Sequence, residues 1–405
     1  MIVQRMIRGV LAAALLLTVA AVAPLAAAAD AARPEVGKPL QAADGLFKQK
    51  KYKEALAEVA KADAVAGKTP YETYLVQRTR GSIAAAAGDN ETAAKAFEAV
   101  IALNRSAPAD QIKMIQAVAG LYYQAKDYPK AAQWSARYLK EGGTDPQMRT
   151  VLVQSYFLGN DCASVAKVVG DNGEGNRRPT EAELQILANC YLKQKDNAGY
   201  VSAIEKLVTY YPKKEYWTDL LNRVQKQGGF SDRLSLDVYR LKLATGNVTT
   251  ANDYLEMAQL ALQAGFPFEA RAVVDKGYAA GALGTGKDAE RHKRLKDLAA
   301  KTADETAKAR TQAEKDAQAD KAGTALVTIG YNYVTDGAAQ KGLAIMEQGV
   351  QKGGLKRPED AKLLLGVAQL QHGAKARGLQ TLKGVQGKDG TAELARLWTL
   401  VGQRP

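Results

Sequence analysis

Apolar residues recur at intervals of three and four along most of this chain, the period of helices with one buried face. Gly-Asp and Lys-Asp pairs interrupt the pattern and reverse the chain, and Pro70, Pro108, Pro146 and Pro179 each lead into the helix pair that follows. The first pair is predicted over 40–50 and 52–64, the second over 71–87 and 91–103, the third over 110–125 and 129–140. Within each pair, small residues stand twelve apart: Ala43 and Ala55, Gly81 and Ala93, Ala119 and Ala131. These three copies follow one another at 38-residue spacing. Small residues let two helices approach closely, and a pair that cannot bury its own apolar face must stack on a neighbour. The pattern therefore predicts an all-α solenoid of stacked helical hairpins, whose function usually lies in a long groove rather than a catalytic pocket.

About nine hairpins are expected, those over 145–170, 180–211 and 213–245 being the least regular. Two segments break the array. Residues 171–178 are rich in Gly, Asn and Arg and read as an exposed loop. Residues 287–321 are dense in Ala, Lys, Asp and Glu with few large apolar groups, which favours helix but offers little to bury. They read as a long, solvated, mobile helical insertion. The expected organisation is an array of seven hairpins over 30–286, the insertion over 287–321, and a last pair over 322–405. A final helix over 392–401 would cap that pair with Leu394, Leu397 and Trp398.

The first residues change the expected location. Arg5 and Arg8 precede an apolar run from Val10 to Ala23, Pro24 breaks it, and Ala27-Ala28-Ala29 offers a small-x-small cleavage site. A cut after Ala31 fits equally well, and an uncleaved anchor is the rival reading. Over residues 1–29 a signal peptide is thus expected, with no transmembrane segment after its removal and a periplasmic protein as the product. The formal charge is +13. A basic exported protein can meet an acidic protein face, acidic polysaccharide or lipid headgroups, or simply solvate its outer helices with lysine. No recognition motif points to nucleic acid.

The hairpins resemble the tetratricopeptide repeat (TPR) family. Ala119, Tyr122, Lys126-Asp127-Tyr128 and Ala131 match its pattern of small residue, aromatic, turn and later alanine. So do Gly81, Gly88-Asp89, Ala93 and Phe97; Ala258, Gly265, Ala270 and Val274; Gly330, Tyr333, Gly337, Gly342 and Met346; and Gly366, Gly373, Gly378 and Leu382. The resemblance covers most of residues 38–386 at periods of 36–38, with departures such as Arg80 at a normally apolar place. It implies a right-handed superhelical solenoid that mediates protein–protein interactions. It also implies that the first helix of each pair lines the concave surface, placing Arg78 and Ser82, then Lys113, Gln116 and Tyr123, on that inner face. Aromatics are dense on later first helices: Tyr156, Phe157, Tyr191, Tyr216, Trp217 and Tyr254. Tyr122, Tyr191, Tyr254 and Tyr333 are weighed as core. The binding candidates are Arg78, Lys113, Tyr123, Tyr216 and Trp217, a mixture suited to an extended peptide that carries a carboxylate.

A narrower resemblance rests on residues 211–217, 229–240 and 254–258, from Tyr211-Pro-Lys-Lys-Glu-Tyr-Trp217 to Tyr254-Leu-Glu-Met-Ala258. Over about residues 205–285 the chain is similar to exported proteobacterial TPR proteins described as components of TonB-type energy-coupling systems. That implies an envelope partner and an accessory role in transport.

The only cysteines are Cys162 and Cys190. Cys162 falls at the start of one helix and Cys190 near the end of its antiparallel neighbour in a stacked array. A disulfide is expected there, two buried thiols being the alternative. Enzymatic signals are poor. His292 and His372 belong to no metal spacing, and His292, set among Arg291, Lys293 and Arg294, reads as part of a solvated face. Gly281 to Lys287 mimics a phosphate-binding loop, but Asp288 stands where Ser or Thr is required, so a helix cap followed by a linker explains its glycines. Ser164 and Lys167 have a nucleophile spacing without any accompanying signature. No catalytic set, metal or cofactor is expected.

Overall fold

A computed structural model describes residues 31–170, 177–226 and 228–404; the signal peptide expected over 1–29 and most of the loop over 171–178 lie outside them. Those residues form twenty α-helices and no strand, in two compact units, the first ending at Asp161 and the second beginning at Cys162. The first unit holds α1 (Pro34–Lys48), α2 (Tyr52–Asp63), α3 (Pro70–Ala87), α4 (Asn90–Ala102), α5 (Pro108–Gln124), α6 (Tyr128–Lys140) and α7 (Pro146–Leu158). The second holds α8 (Cys162–Val169), α9 (Glu181–Lys193), α10 (Asn197–Tyr210), α11 (Lys214–Gln225), α12 (Ser235–Ala244), α13 (Ala251–Gln263), α14 (Pro267–Ala279), α15 (Ala289–Ala319), α16 (Thr324–Thr335), α17 (Ala339–Lys352), α18 (Pro358–Gln371), α19 (Lys375–Lys383) and α20 (Thr391–Gly402).

The twelve-residue spacing is a packing device. Ala43 and Ala55, Ala119 and Ala131, and Ala258 and Ala270 are all fully buried. In α16 and α17 the backbones themselves meet: a Cβ on Gly330 would lie 2.7 Å from the Gly342 carbonyl oxygen, and one on Gly342 would lie 2.5 Å from that of Gly330. Gly366 and Gly378 repeat the contact in α18 and α19, where a Cβ on Gly378 would lie 2.9 Å from the Gly366 oxygen. At three turns an aspartate caps the second helix of its pair. Asp89 accepts from the Thr92 N–H at 3.1 Å, Asp127 from that of Lys130 at 3.2 Å and Asp196 from that of Gly199 at 2.9 Å. Each such cap stabilises by about 1 kcal/mol. The residue before the aspartate takes positive φ, 81° at Gly88 and 62° at Lys126, so the turn requires the left-handed conformation even where no glycine supplies it.

In the first unit α1 begins six residues earlier than the sequence pattern predicts. Its added turn is held from outside, by the buried Val36 and by Arg33 bonded to α3, a long-range contact that local periodicity does not report. In the second unit Cys162 and Cys190 form a disulfide that joins α8 to α9, with Cα atoms 5.3 Å apart.

The insertion differs from its expectation. Helix α15 is 31 residues long and packs along α14 and α16, burying His292, Leu295, Ala299, Ala303 and Ala317. A stripe of alanine buries little area per residue but permits close approach, which composition alone registers as a shortage of core. His292 is 3% exposed rather than solvated, and its Nδ1 accepts from the Gly284 N–H at 3.1 Å, folding the loop that mimics a phosphate site back onto α15.

The second unit also closes on itself. Leu236 and Tyr239 of α12 share one core with Leu364, Leu365 and Ala368 of α18. Arg233 binds Asp360 at 2.8 and 2.9 Å and Asp389 at 2.6 Å, and the Ser231 N–H donates to the Asp389 carbonyl at 2.9 Å. Helix α20 therefore caps α19, as expected, and also returns to the middle of the array, where Arg396 pairs with Glu205 and Arg404 stacks 4.7 Å from the Trp217 ring. At the centre, Arg240 makes two bonds to Glu269, at 2.8 and 2.7 Å, and one to Asp237 at 2.8 Å. Phe266 and Tyr331 flank its guanidinium at 5.1 and 4.9 Å, and the Tyr331 hydroxyl donates to Glu269 at 3.0 Å.

Two outcomes follow from this packing. Gly330→Leu should cost about 3 kcal/mol through overpacking against α17, whereas Ala309→Leu on the exposed face of α15 should leave the urea midpoint unchanged. Cys190→Ser should lower stability by about 3 kcal/mol if the disulfide acts on the unfolded chain, and unreduced wild-type protein should present no alkylatable thiol by mass spectrometry.

Candidate functional site

In the first unit α1 stands beside α3 and α5 beside α7, and polar side chains link the members of each pair. Gln116 of α5 donates to Asp145, the cap of α7, at 2.6 Å, and the Tyr123 hydroxyl donates to Gln154 of α7 at 2.9 Å. Tyr123 also meets the edge of Tyr128, ring centroids 5.9 Å apart, and its burial pushes the phenol pKa up. Lys113 is exposed on the same helix and lies 3.4 Å from Asp110.

On α3 the helical spacing of Tyr71, Tyr74 and Arg78 builds a ladder. The two tyrosine rings stack with centroids 6.5 Å apart, Arg78 lies 5.9 Å from the Tyr74 ring and donates to its hydroxyl at 3.3 Å, and Arg105 lies 5.8 Å from the Tyr71 ring. The half-buried Arg78 has no carboxylate partner among the described residues. Arg33, Arg80 and Arg137 of the same unit are each paired, with Glu72, Asp63 and Glu141. Sequence reasoning singled out Arg78 but passed over Tyr71 and Tyr74, whose three-residue spacing on one helix was the available signal.

Glu72 fixes the start of that helix. Its fully buried carboxylate accepts from the Thr69 N–H at 2.8 Å and from the Arg33 N–H, Nε and Nη2, each at 2.9 Å. The Thr69 hydroxyl in turn accepts from the Glu72 N–H at 3.1 Å, completing a capping box. These donors, Arg33 foremost, hold the Glu72 pKa down at about 2. Arg177, Thr180 and Glu183 build the same device at the start of α9.

The remaining candidates lie in the second unit and differ from each other. Tyr216 is at the surface, where its hydroxyl donates to Glu181 at 2.5 Å and accepts from Gln185 at 2.6 Å; burial and Glu181 push its pKa up to about 12. Trp217 is 1% exposed, packed in the core beneath Arg404, so its ring is not offered to a ligand. The next position on a helix points about 100° away, which is why one aromatic of this pair is outside and the other inside. Tyr122, Tyr254 and Tyr333 are buried as core. Among the described residues no group of three or more His, Cys, Asp or Glu side chains could hold a metal ion, and no helix is long and apolar enough to cross a membrane.

No family model and no curated protein matches the chain. Among solved structures it is similar to the TPR2AB domain of yeast Sti1 in its pHSP90 complex, at 15% identity over 65% of this chain and 98% of that one, with a TM-score of 0.33. It is also similar to Naa15/Naa10 bound to HypK-THB, at 15% identity over 91% of this chain and 67% of that one, with a TM-score of 0.31.

Because Glu72 has a depressed pKa when folded, its contribution should be complete above about pH 4.5 and be lost as the pH falls toward 2. The urea midpoint of wild type should therefore exceed that of Glu72→Gln at neutral pH, and the gap should shrink over that acid interval. A gap that is independent of pH would assign the effect to packing.

Proposed function

We propose that this chain is a non-catalytic interaction scaffold, and that the first unit docks an extended, carboxylate-bearing segment of a protein partner along the row formed by α1, α3, α5 and α7. The observation that carries this reading is Arg78: a half-buried guanidinium, laid on Tyr74 and without a carboxylate of its own. Such a group keeps N–H edges free for a planar acceptor, and a bidentate carboxylate matches them. Tyr71 and Tyr74 add aromatic contact area at low ordering cost, and Lys113 and Tyr123 extend the row onto α5. The second unit suits this role less well, since its own side chains join α12 to α18.

The compartment we propose is the periplasm. The export-signal pattern over 1–29 and the Cys162–Cys190 disulfide, a bond that persists in oxidising surroundings, support it. The partner we propose is a component of a TonB-type envelope transport complex, supported by the resemblance over residues 205–285.

The test is crosslinking and affinity purification of tagged protein from intact cell envelopes, wild type beside Arg78→Glu/Lys113→Glu/Tyr123→Ala. The expected result is one envelope complex whose recovery falls at least about tenfold in the variant while the helical circular dichroism is unchanged. A complex that survives the substitutions would move the site away from this row. Salt-sensitive binding to acidic polysaccharide or anionic lipid, with no protein partner, would replace the scaffold reading by a polymer-binding one.

A further inference from the structure

Helix α15 carries a second surface, which the scaffold reading does not use. On one flank its basic residues are neutralised: Lys293 pairs with Asp297 at 3.0 Å, Lys296 with Asp275 at 3.5 Å and Arg310 with Asp336 at 2.8 Å. The other flank runs Arg291, Arg294, Leu298, Lys301 and Glu305, all exposed. Arg291 and Arg294 have no carboxylate partner among the described residues, and Lys301 reaches Glu305 only at 4.0 Å. Leu298 is 52% exposed, more than any other large apolar side chain described. A leucine placed outward one turn beyond two unpaired arginines is not explained by the fold, since the buried face of α15 is complete without it.

The spacing indicates what would cover it. Positions 291, 294, 298, 301 and 305 alternate steps of three and four, so they form one stripe along α15, basic at three places and apolar at Leu298, of the kind a partner helix can lie against. An extended peptide has a period of two and would meet only scattered members of the row. A lipid surface would gain only about 1 kcal/mol per basic residue, with one apolar side chain to insert. From this geometry we infer that the Arg291–Glu305 flank of α15 is a docking seam for an acidic amphipathic helix of a partner protein. Leu298 sits at the centre of the contact, and carboxylates of the partner lie against Arg291, Arg294 and Lys301. At 1.5 Å per residue the seam is roughly 21 Å long, about four turns of the partner.

The experiment uses the full chain and a labelled synthetic helix with leucine and glutamate on alternating heptad positions, followed by fluorescence anisotropy. Binding should weaken at least about tenfold in Arg291→Glu/Arg294→Glu and again in Leu298→Asp. Lys293→Glu, on the neutralised flank, should leave it unchanged. Far-ultraviolet circular dichroism controls for folding, and Arg291→Lys/Arg294→Lys should retain most of the affinity. The inference is overturned if the probe does not bind. It is also overturned if Lys293→Glu weakens binding as much as the double variant, which would signify diffuse attraction. Vesicles rich in phosphatidylglycerol that bind through the same residues while the peptide does not would make the flank a lipid surface and end the helix proposal.

Discussion

The whole molecule depends on one contact, the close approach of two helices at small residues twelve positions apart. Where Gly330 faces Gly342 and Gly366 faces Gly378, the backbones come so near that a single Cβ would collide with the opposing chain. A hairpin this tight has no interior of its own. Its apolar side chains point outward on both sides and can be buried only by further helices. The array, its capping helix and the packing of α15 all answer that demand. The polar surface left over is then free to differ from hairpin to hairpin, because the fold places no requirement on it.

Charge is used differently in the two units, and the difference bears on function. In the second unit Arg233 and Arg240 are each bonded to two carboxylates, and both arginines join helices far apart in sequence. A buried ion pair offsets its desolvation only when its geometry and remaining hydrogen bonds are good, and the fork from Arg240 to Glu269 and the Tyr331 hydroxyl meet that condition. These arginines fix the register of α12 against α14, α16 and α18. In the first unit Arg33 does comparable work for α1, whereas Arg78 is held by the ring and hydroxyl of Tyr74 and by no carboxylate. A cation whose site is furnished by the fold but whose counter-charge is not is better placed to bind than to support.

The regular hairpins were legible because two short-range signals, helical period and small-residue spacing, agree there, as at Ala119 and Ala131 or Gly330 and Gly342. The disulfide was legible as well, since stacking order alone brings the start of α8 beside the end of α9. The early start of α1, the burial of His292 and the packing of α15 were not legible. Each depends on a partner distant in the chain or on alanine used as a packing surface, and composition scores alanine as neither core nor solvent. Tyr216 and Trp217 mark the same limit at the level of a site. The sequence pattern recognised an aromatic pair on a first helix, but which member faces outward is decided by the phase of α11 against residues as remote as Arg404.

The return of α20 gives the end of the array a second consequence. A capping helix need only cover the last hairpin, yet Ser231, Arg233 and Glu205 also hold residues 389–396 from the other side. The last hairpin is therefore tied to the middle of the second unit by bonds that span more than a hundred residues of chain. In a simple repeat array each hairpin is stabilised by its neighbours alone, and stability can be lost one repeat at a time. Closure replaces that behaviour with a single cooperative body, because α12 cannot leave α18 without breaking the Arg233 fork and the shared core together. A unit of that kind makes a rigid support for the face of α15, whereas the row of first helices from α1 to α7 keeps the adaptable stacking of an ordinary repeat.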